Sequence, residues 1–392
     1  SVIDVVEGTV HHGQTVHIDG SRIVAVGPPD GVPLPQGARL VDATGTFTLP
    51  GLADMHVHVG DAPARRYLAS GVTMVRDLGS PIGWFATADR SDPSAIRPRV
   101  WLSGPLLSGS TVGGDVPARL RVRDPTEVAA ALDVLTGAGV DFVKVHEWVS
   151  RATYLTIADG ARTRGLSLVG HLPVGITIDD AIAAGQKSIE HLGGLTQGVL
   201  RACAHVDQTE QLEVPDATLM TRAYLDPLLR GYDPELCALV AARLAEAGVW
   251  QVPTLVTVRF FADHSPRSPA ENAARQQLLA VLIEIVGIMH GAGVPLLAGV
   301  DETPNMTVAD ELELLVRAGL SPAAALRTAT VNAARFLEAT DSYGSVAAGR
   351  MADLVLVDDD PLVDIRNLRR VRSVVLGGQL LDQATIAAWA VR

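Results

Sequence analysis

Short apolar runs recur along this chain, and the stretches between them are mostly Ala-rich and helical in pattern. The runs fall at 53–58, 72–77, 99–103, 142–146, 167–171, 188–191, 250–255 and 296–301. A strand that is apolar throughout is one buried on both faces, and strands alternating with helices predict a parallel sheet with crossover helices. Eight such units close a barrel. Outside them the pattern changes. Thr15-Val16-His17-Ile18 and Arg22-Ile23-Val24-Ala25-Val26 flank Asp19-Gly20-Ser21, the composition of a β-hairpin. Asp353-Leu354-Val355-Leu356-Val357 and Ser373-Val374-Val375-Leu376 have the same strand character, so the two chain ends are expected to complete one sheet. Residues 200–235 fit no β/α unit and are expected to form an insertion after the sixth strand, near the barrel mouth.

Composition narrows the class. At 47% apolar and 19% charged residues, the 392-residue chain can bury a large core. A net charge of −12 argues against nucleic acid as a partner, because phosphate binding needs a clustered basic surface. The group Arg119, Arg121 and Arg123 is too small to reverse that. No run of 18 or more apolar residues and no basic-then-apolar leader pattern is seen, so no membrane partner and a cytoplasmic location are expected. The only cysteines, Cys203 and Cys237, are expected to be two buried, inert thiols.

The candidate chemistry gathers at the strand ends. In Asp54-Met55-His56-Val57-His58 the two imidazoles lie two apart on a strand and face one way, with Asp54 expected below them. Nitrogen and carboxylate donors suit a borderline divalent metal such as zinc. His171, His191 and Asp301 stand at the ends of three other predicted strands, and parallel strands of a barrel bring those ends to one rim. Lys144 lies in an apolar strand, Phe142-Val143-Lys144-Val145, where burial disfavours the ammonium form. The neutral amine could take up CO₂ to give a carbamate able to bridge two metal ions; the alternative is a lysine paired with a nearby carboxylate. His146 shares the Lys144 face and either contacts substrate or forms a wall of the pocket. His11, His12, His17, His205, His264 and His290 are read as solvated or structural.

Taken together, Leu49-Pro50-Gly51-Leu52 before His56-Val57-His58, Gly71-Val72-Thr73-Met74-Val75-Arg76-Asp77, Val143-Lys144-Val145, Gly170-His171, Ser188-Ile189-Glu190-His191, Ala298-Gly299-Val300-Asp301 and Gly349-Arg350-Met351-Ala352-Asp353-Leu354 closely resemble the amidohydrolase superfamily. The nearest branch is that of imidazolonepropionase and the metal-dependent Xaa-Pro dipeptidases with a carboxylated lysine. The resemblance implies an α/β fold: a (β/α)₈ TIM barrel at 51–344 with a small composite β-sandwich domain from 1–50 and 345–392. It implies two divalent metal ions, zinc first with manganese or iron as alternatives. His56, His58 and Asp301 would hold the more buried ion and His171 and His191 the more exposed one, with N6-carboxylated Lys144 between them. A metal-bridging hydroxide would attack an amide-type C–N bond of a small molecule (a dipeptide, N-acyl amino acid, carbamate or urea), and Asp301 would carry the proton. His146 stands where a Tyr is frequent. A carboxylate-bearing substrate would call for a cationic clamp, with Arg119, Arg121, Arg123 and Arg259 as candidates. A homo-oligomer, a C₂ dimer first, is expected.

Three rival readings are weighed. A mononuclear hydrolytic deaminase of this fold would be expected to carry a Glu shortly after His171, but the segment reads His171-Leu172-Pro173-Val174, and Glu190 is expected to point away from the barrel interior. A cyclic-amide hydrolase would use the same ligands. A scaffold that keeps its ligands without catalysis is the reading outside enzymes.

Overall fold

The computed structural model describes residues 1–59, 64–87, 90, 95–109, 117–206, 221–264, 268–301 and 303–390. Seven of the apolar runs form the parallel strands Leu52–Val57, Val72–Asp77, Arg99–Leu102, Phe142–Val145, Ser167–Gly170, Ser188–Glu190 and Trp250–Val252. The eighth run, 296–301, carries one formal bridge, Gln251 to Leu296. It still closes the ring: Gln251 N donates to Pro295 O at 2.9 Å, Met55 N to Ala298 O at 2.9 Å, and Asp301 N to His56 O at 2.8 Å. Between the third and fourth strands, Asp141 N donates to Leu102 O at 2.7 Å. The ring is therefore a (β/α)₈ barrel.

Period-2 alternation explains why these strands are apolar on both sides. Ala53, Met74, Phe142, Val169, Val252 and Leu297 fill the barrel interior with Phe336. Val75, Val143, Val145, Leu168 and Ile189 face outward into the main core with the helices. The longest helix, Pro269–Gly291, begins with Ser268 and Glu271 in a capping box and Pro at its first turn. It is long and apolar enough to cross a membrane. Leu278, Leu282, Ile285, Val286 and Met289 are instead buried against the neighbouring helices Arg222–Gly231, Pro234–Glu246 and Leu255–His264.

The termini meet in one six-stranded sheet. Phe47–Pro50 lies parallel to Val2–Asp4 on one side and antiparallel to Leu354–Val357 on the other. Val371–Leu376, Gln379–Leu381 and Thr9–His11 complete it. The hairpin Thr15–Asp19 and Arg22–Gly27 covers one face through Ile23, Val16 and Ile18 packed on Leu354, Leu356 and Val375. Val355, Val357 and Val374 on the other face join the main core. The result is a small two-layered β-sandwich seated on the barrel.

The cysteines are not two free thiols. Cys203 and Cys237 form a disulfide across 34 residues, because helix Pro234–Glu246 packs on the short helix Gly198–Ala202 and brings both buried side chains together. Within the segment expected to be an insertion, helix Arg222–Gly231 is described, while 207–220 lie outside the described residues.

A candidate metal centre at the barrel rim

Each predicted ligand comes from the end of a barrel strand, and the strands end abruptly. Among the described residues, His191, Leu192, Thr254 and Asp301 take φ of 54, 52, 46 and 53°. Non-glycine residues there cost about 1–3 kcal/mol each and cluster where the surrounding structure imposes them. Here the turn lifts side chains off the strand period and aims them across the rim.

The six predicted residues converge. His58 Nε2 lies 3.2 Å and His56 Nε2 3.6 Å from Asp301 Oδ1, and His191 Nε2 is 3.7 Å from Asp301 Oδ2. Lys144 Nζ sits 3.1 Å from His56 Nε2. The His171 ring centroid is 5.0 Å from that of His191. Two donors each about 2.05 Å from a tetrahedral ion stand about 3.3 Å apart, so His56, His58, His191 and Asp301 are spaced as candidate ligands.

The opposite edge of each imidazole is held. His56 Nδ1 contacts Glu190 Oε2 at 2.9 Å, His58 Nδ1 faces Gly79 O at 3.4 Å, and His191 Nδ1 meets Thr254 Oγ1 at 2.5 Å. Gly79 is required here, since a Cβ would lie 2.4 Å from His58 Nδ1. Glu147, fully buried, lies between two rings: Oε1 is 2.5 Å from His171 Nδ1 and Oε2 is 2.7 Å from His146 Nδ1. These rings are not aligned along their N–H directions, so the contacts are close charge approaches rather than formed hydrogen bonds. His146, Glu147 and His171 could also be read as a metal group. Their 2.5 and 2.7 Å separations are too short for two ligands of one ion and fit carboxylates that orient imidazoles. His171 Nε2 is buried without a hydrogen-bond partner.

Electrostatics favour neutral donors. Burial pushes His56 well below the usual imidazole value, helped by Lys144. Burial brings His171 and His191 down to about 4, against the pull of Glu147 and Asp301 respectively. Burial also lowers Lys144, opposed by Asp301 and Glu190. Asp301 is pushed up by burial, but His191 and His58 more than reverse this and hold it as carboxylate.

Two orientations differ from the sequence expectation. Glu190 points into the barrel, where it is fully buried and accepts from Arg76 Nη2 at 2.8 and 2.9 Å and from Ser188 Oγ at 2.5 Å. Ser188 and Glu190 occupy the inward face, and His191 joins them only because its positive φ leaves the strand. Asp54 does not sit below His56 and His58 on one face. The register shifts between Asp54 and Val57, and Asp54 Oδ1 instead accepts from His56 N at 3.2 Å and Val300 N at 3.1 Å, lining a cleft with Arg66 and Thr303. Of the candidate cationic residues, Arg123 is paired with Glu127, and Arg259 lies 3.6 Å from Asp310. His205 pairs with Asp233 at 2.8 Å. The sequence reading does not single out Glu147; its one available signal is that it follows His146 at a strand end.

Imidazoles, a lysine and a carboxylate thus converge at the C-terminal ends of the barrel strands, where active sites of this fold lie, and form a candidate metal group. Residues 47–381 match the Amidohydrolase family, and the chain belongs to it. Among relatives, Adenine deaminase 2 of Rhizobium meliloti (strain 1021) is 28% identical over 401 residues, covering 99% of this chain and 58% of that protein. The chain thus spans somewhat more than half the length of that curated relative. A solved bottromycin amidohydrolase shares 26% identity and superposes with a TM-score of 0.75, covering 99% of this chain and 87% of that one. A Xaa-Pro dipeptidase with methionine bound in its active site shares the fold at 21% identity and TM-score 0.73, covering 97% of this chain and 98% of that one.

Proposed function

We propose that this protein is a metal-dependent hydrolase that cleaves an amide-type C–N bond of a small molecule. One observation carries the reading: the Nδ1 edges of His56, His58 and His191 each meet a partner, while their Nε2 atoms gather within 3.2–3.7 Å of Asp301. That arrangement fits a divalent metal. His56, His58 and Asp301 would hold one ion, His171 and His191 a second, and Lys144, carboxylated on Nζ, would lie between them. Zinc is the first candidate, with manganese and iron as alternatives. A divalent ion there supplies Lewis acidity, polarising a carbonyl and lowering the pKa of water. Two ions and a lysinium in one pocket would repel, whereas a carbamate carries the charge that suits them. Carboxylation joins the neutral amine to CO₂ and releases one proton. Asp301, held as carboxylate, accepts the proton of the attacking water and returns it to the leaving nitrogen. The small sandwich from the two termini (1–50 and 345–392) forms a second domain beside the barrel of 51–344 in this reading.

Hydrolytic deamination is the second reading, supported by the resemblance to Adenine deaminase 2. The two separate on product. Zinc-loaded protein is assayed on dipeptides, N-acyl amino acids, aryl carbamates and adenine. Amine released from the acyl compounds without ammonia from adenine is expected; ammonia from adenine alone would overturn the first reading in favour of the second.

A further inference from the structure

The helix that follows Asp301, Val308–Arg317, buries one stripe: Val308, Glu311, Leu312 and Leu315, spaced three and four apart. A glutamate in an apolar stripe is costly unless its oxygens find donors. Glu311 is fully buried, and its partners are backbone groups of another element: Leu255 N donates to Oε1 at 3.0 Å and Val256 N to Oε2 at 2.9 Å. These are the first two N–H groups of helix Leu255–His264, which have no acceptor within their own helix. The residue just before them is Thr254, held at φ 46° with its Oγ1 2.5 Å from His191 Nδ1. Thr257 N closes the same turn on Thr254 O at 3.0 Å. A carboxyl group from the helix after the eighth strand thus fastens the turn after the seventh, and that turn holds a ring at the end of the sixth.

Resting on the metal-dependent reading, we propose that Glu311 is a positioning residue: by clamping the start of helix Leu255–His264 it fixes Thr254 in its turn, and through Thr254 it sets His191 as a metal donor. A non-glycine residue in the left-handed region persists only where its surroundings impose it, and the two N–H bonds to Glu311 are that restraint. Glutamine is not an equivalent. Its amide offers one acceptor oxygen, and its NH₂ would face the other N–H donor to donor. Groups that orient a ligating histidine typically carry about 10–100-fold in metal affinity. Glu311 acts one step further out, so the low end of that range, about tenfold, is expected.

Two measurements on the whole chain test this. In the first, metal-free crystal structures of the unaltered protein and of Glu311→Gln are compared, a readout that needs no bound zinc. Loss of the Thr254–His191 contact in the variant is expected; an unchanged contact overturns the proposal. In the second, zinc affinity is read by competition with a chromophoric chelator, along a double-mutant cycle with Thr254→Val. Each single variant should bind zinc about tenfold more weakly, and the double variant no more weakly than either, because both act on His191 by one route. Unchanged affinity in folded Glu311→Gln, or losses that multiply in the double variant, would overturn it, since Glu311 would then not act on His191 through Thr254. Glu311→Asp, which keeps the carboxylate but is a methylene too short to reach both N–H groups, takes the place of Glu311→Gln if the latter does not fold. No zinc bound by the unaltered protein would count against the metal-dependent reading itself, and the metal-free structures would still decide whether Glu311 holds the turn.

Discussion

Two buried carboxylates hold the imidazoles of the rim, and their surroundings are unlike. Glu190 lies inside the barrel against a guanidinium: Arg76 binds it through Nη2, donates from Nε to Met55 O at 2.7 Å, and has its cation over the ring of Phe336 at 4.8 Å. Glu147 lies above the barrel between the rings of His146 and His171. The first carboxylate belongs both to the scaffold and to the site, since it ties three strands together while it orients His56. The second orients two imidazoles next to each other. Loss of Glu190's partner should therefore damage stability, whereas loss of Glu147 should damage metal uptake.

The largest effect expected is on the residue both halves surround. Asp301→Ala removes a ligand and the proton carrier together, so kcat/KM on a substrate found by screening should fall by several orders of magnitude while circular dichroism stays native. Near-normal turnover in that variant would remove Asp301 from the mechanism. Next in size, Arg76→Met leaves Glu190 as an uncompensated buried charge and should lower unfolding free energy by about 3–5 kcal/mol in denaturant titration. A Glu147→Gln protein as unstable as Arg76→Met would erase the contrast between the two carboxylates. The smallest effect serves as a reference far from the rim. Ser268→Ala breaks the capping box of Pro269–Gly291 and should cost about 1 kcal/mol with kcat/KM unchanged.

The barrel was legible because its strands are buried on both faces and so appear as unbroken apolar runs between helical stretches. The convergence of the candidate side chains is legible because strand ends share a rim. Parts that depend on local departures from the period were not. Glu190 was read outward from the position of His191, but the strand ends at Glu190 and His191 turns back at φ 54°. Asp54 was placed by simple alternation, which the register shift before Val57 breaks. Glu147 gains its meaning from His171, 24 residues later on the next strand, a proximity that only the parallel pairing of Phe142–Val145 with Ser167–Gly170 creates. The Cys203–Cys237 bond likewise depends on how two helices pack.

The most direct test of the account is a crystal structure of protein prepared with zinc and bicarbonate, with anomalous scattering recorded at the zinc edge. The account predicts two anomalous peaks per chain, one among His56, His58 and Asp301 and one beside His171 and His191, with carbamate density on Lys144 between them. A single peak with a bare Lys144 amine would reduce the site to one ion, and no peak among these side chains would contradict the metal-dependent mechanism.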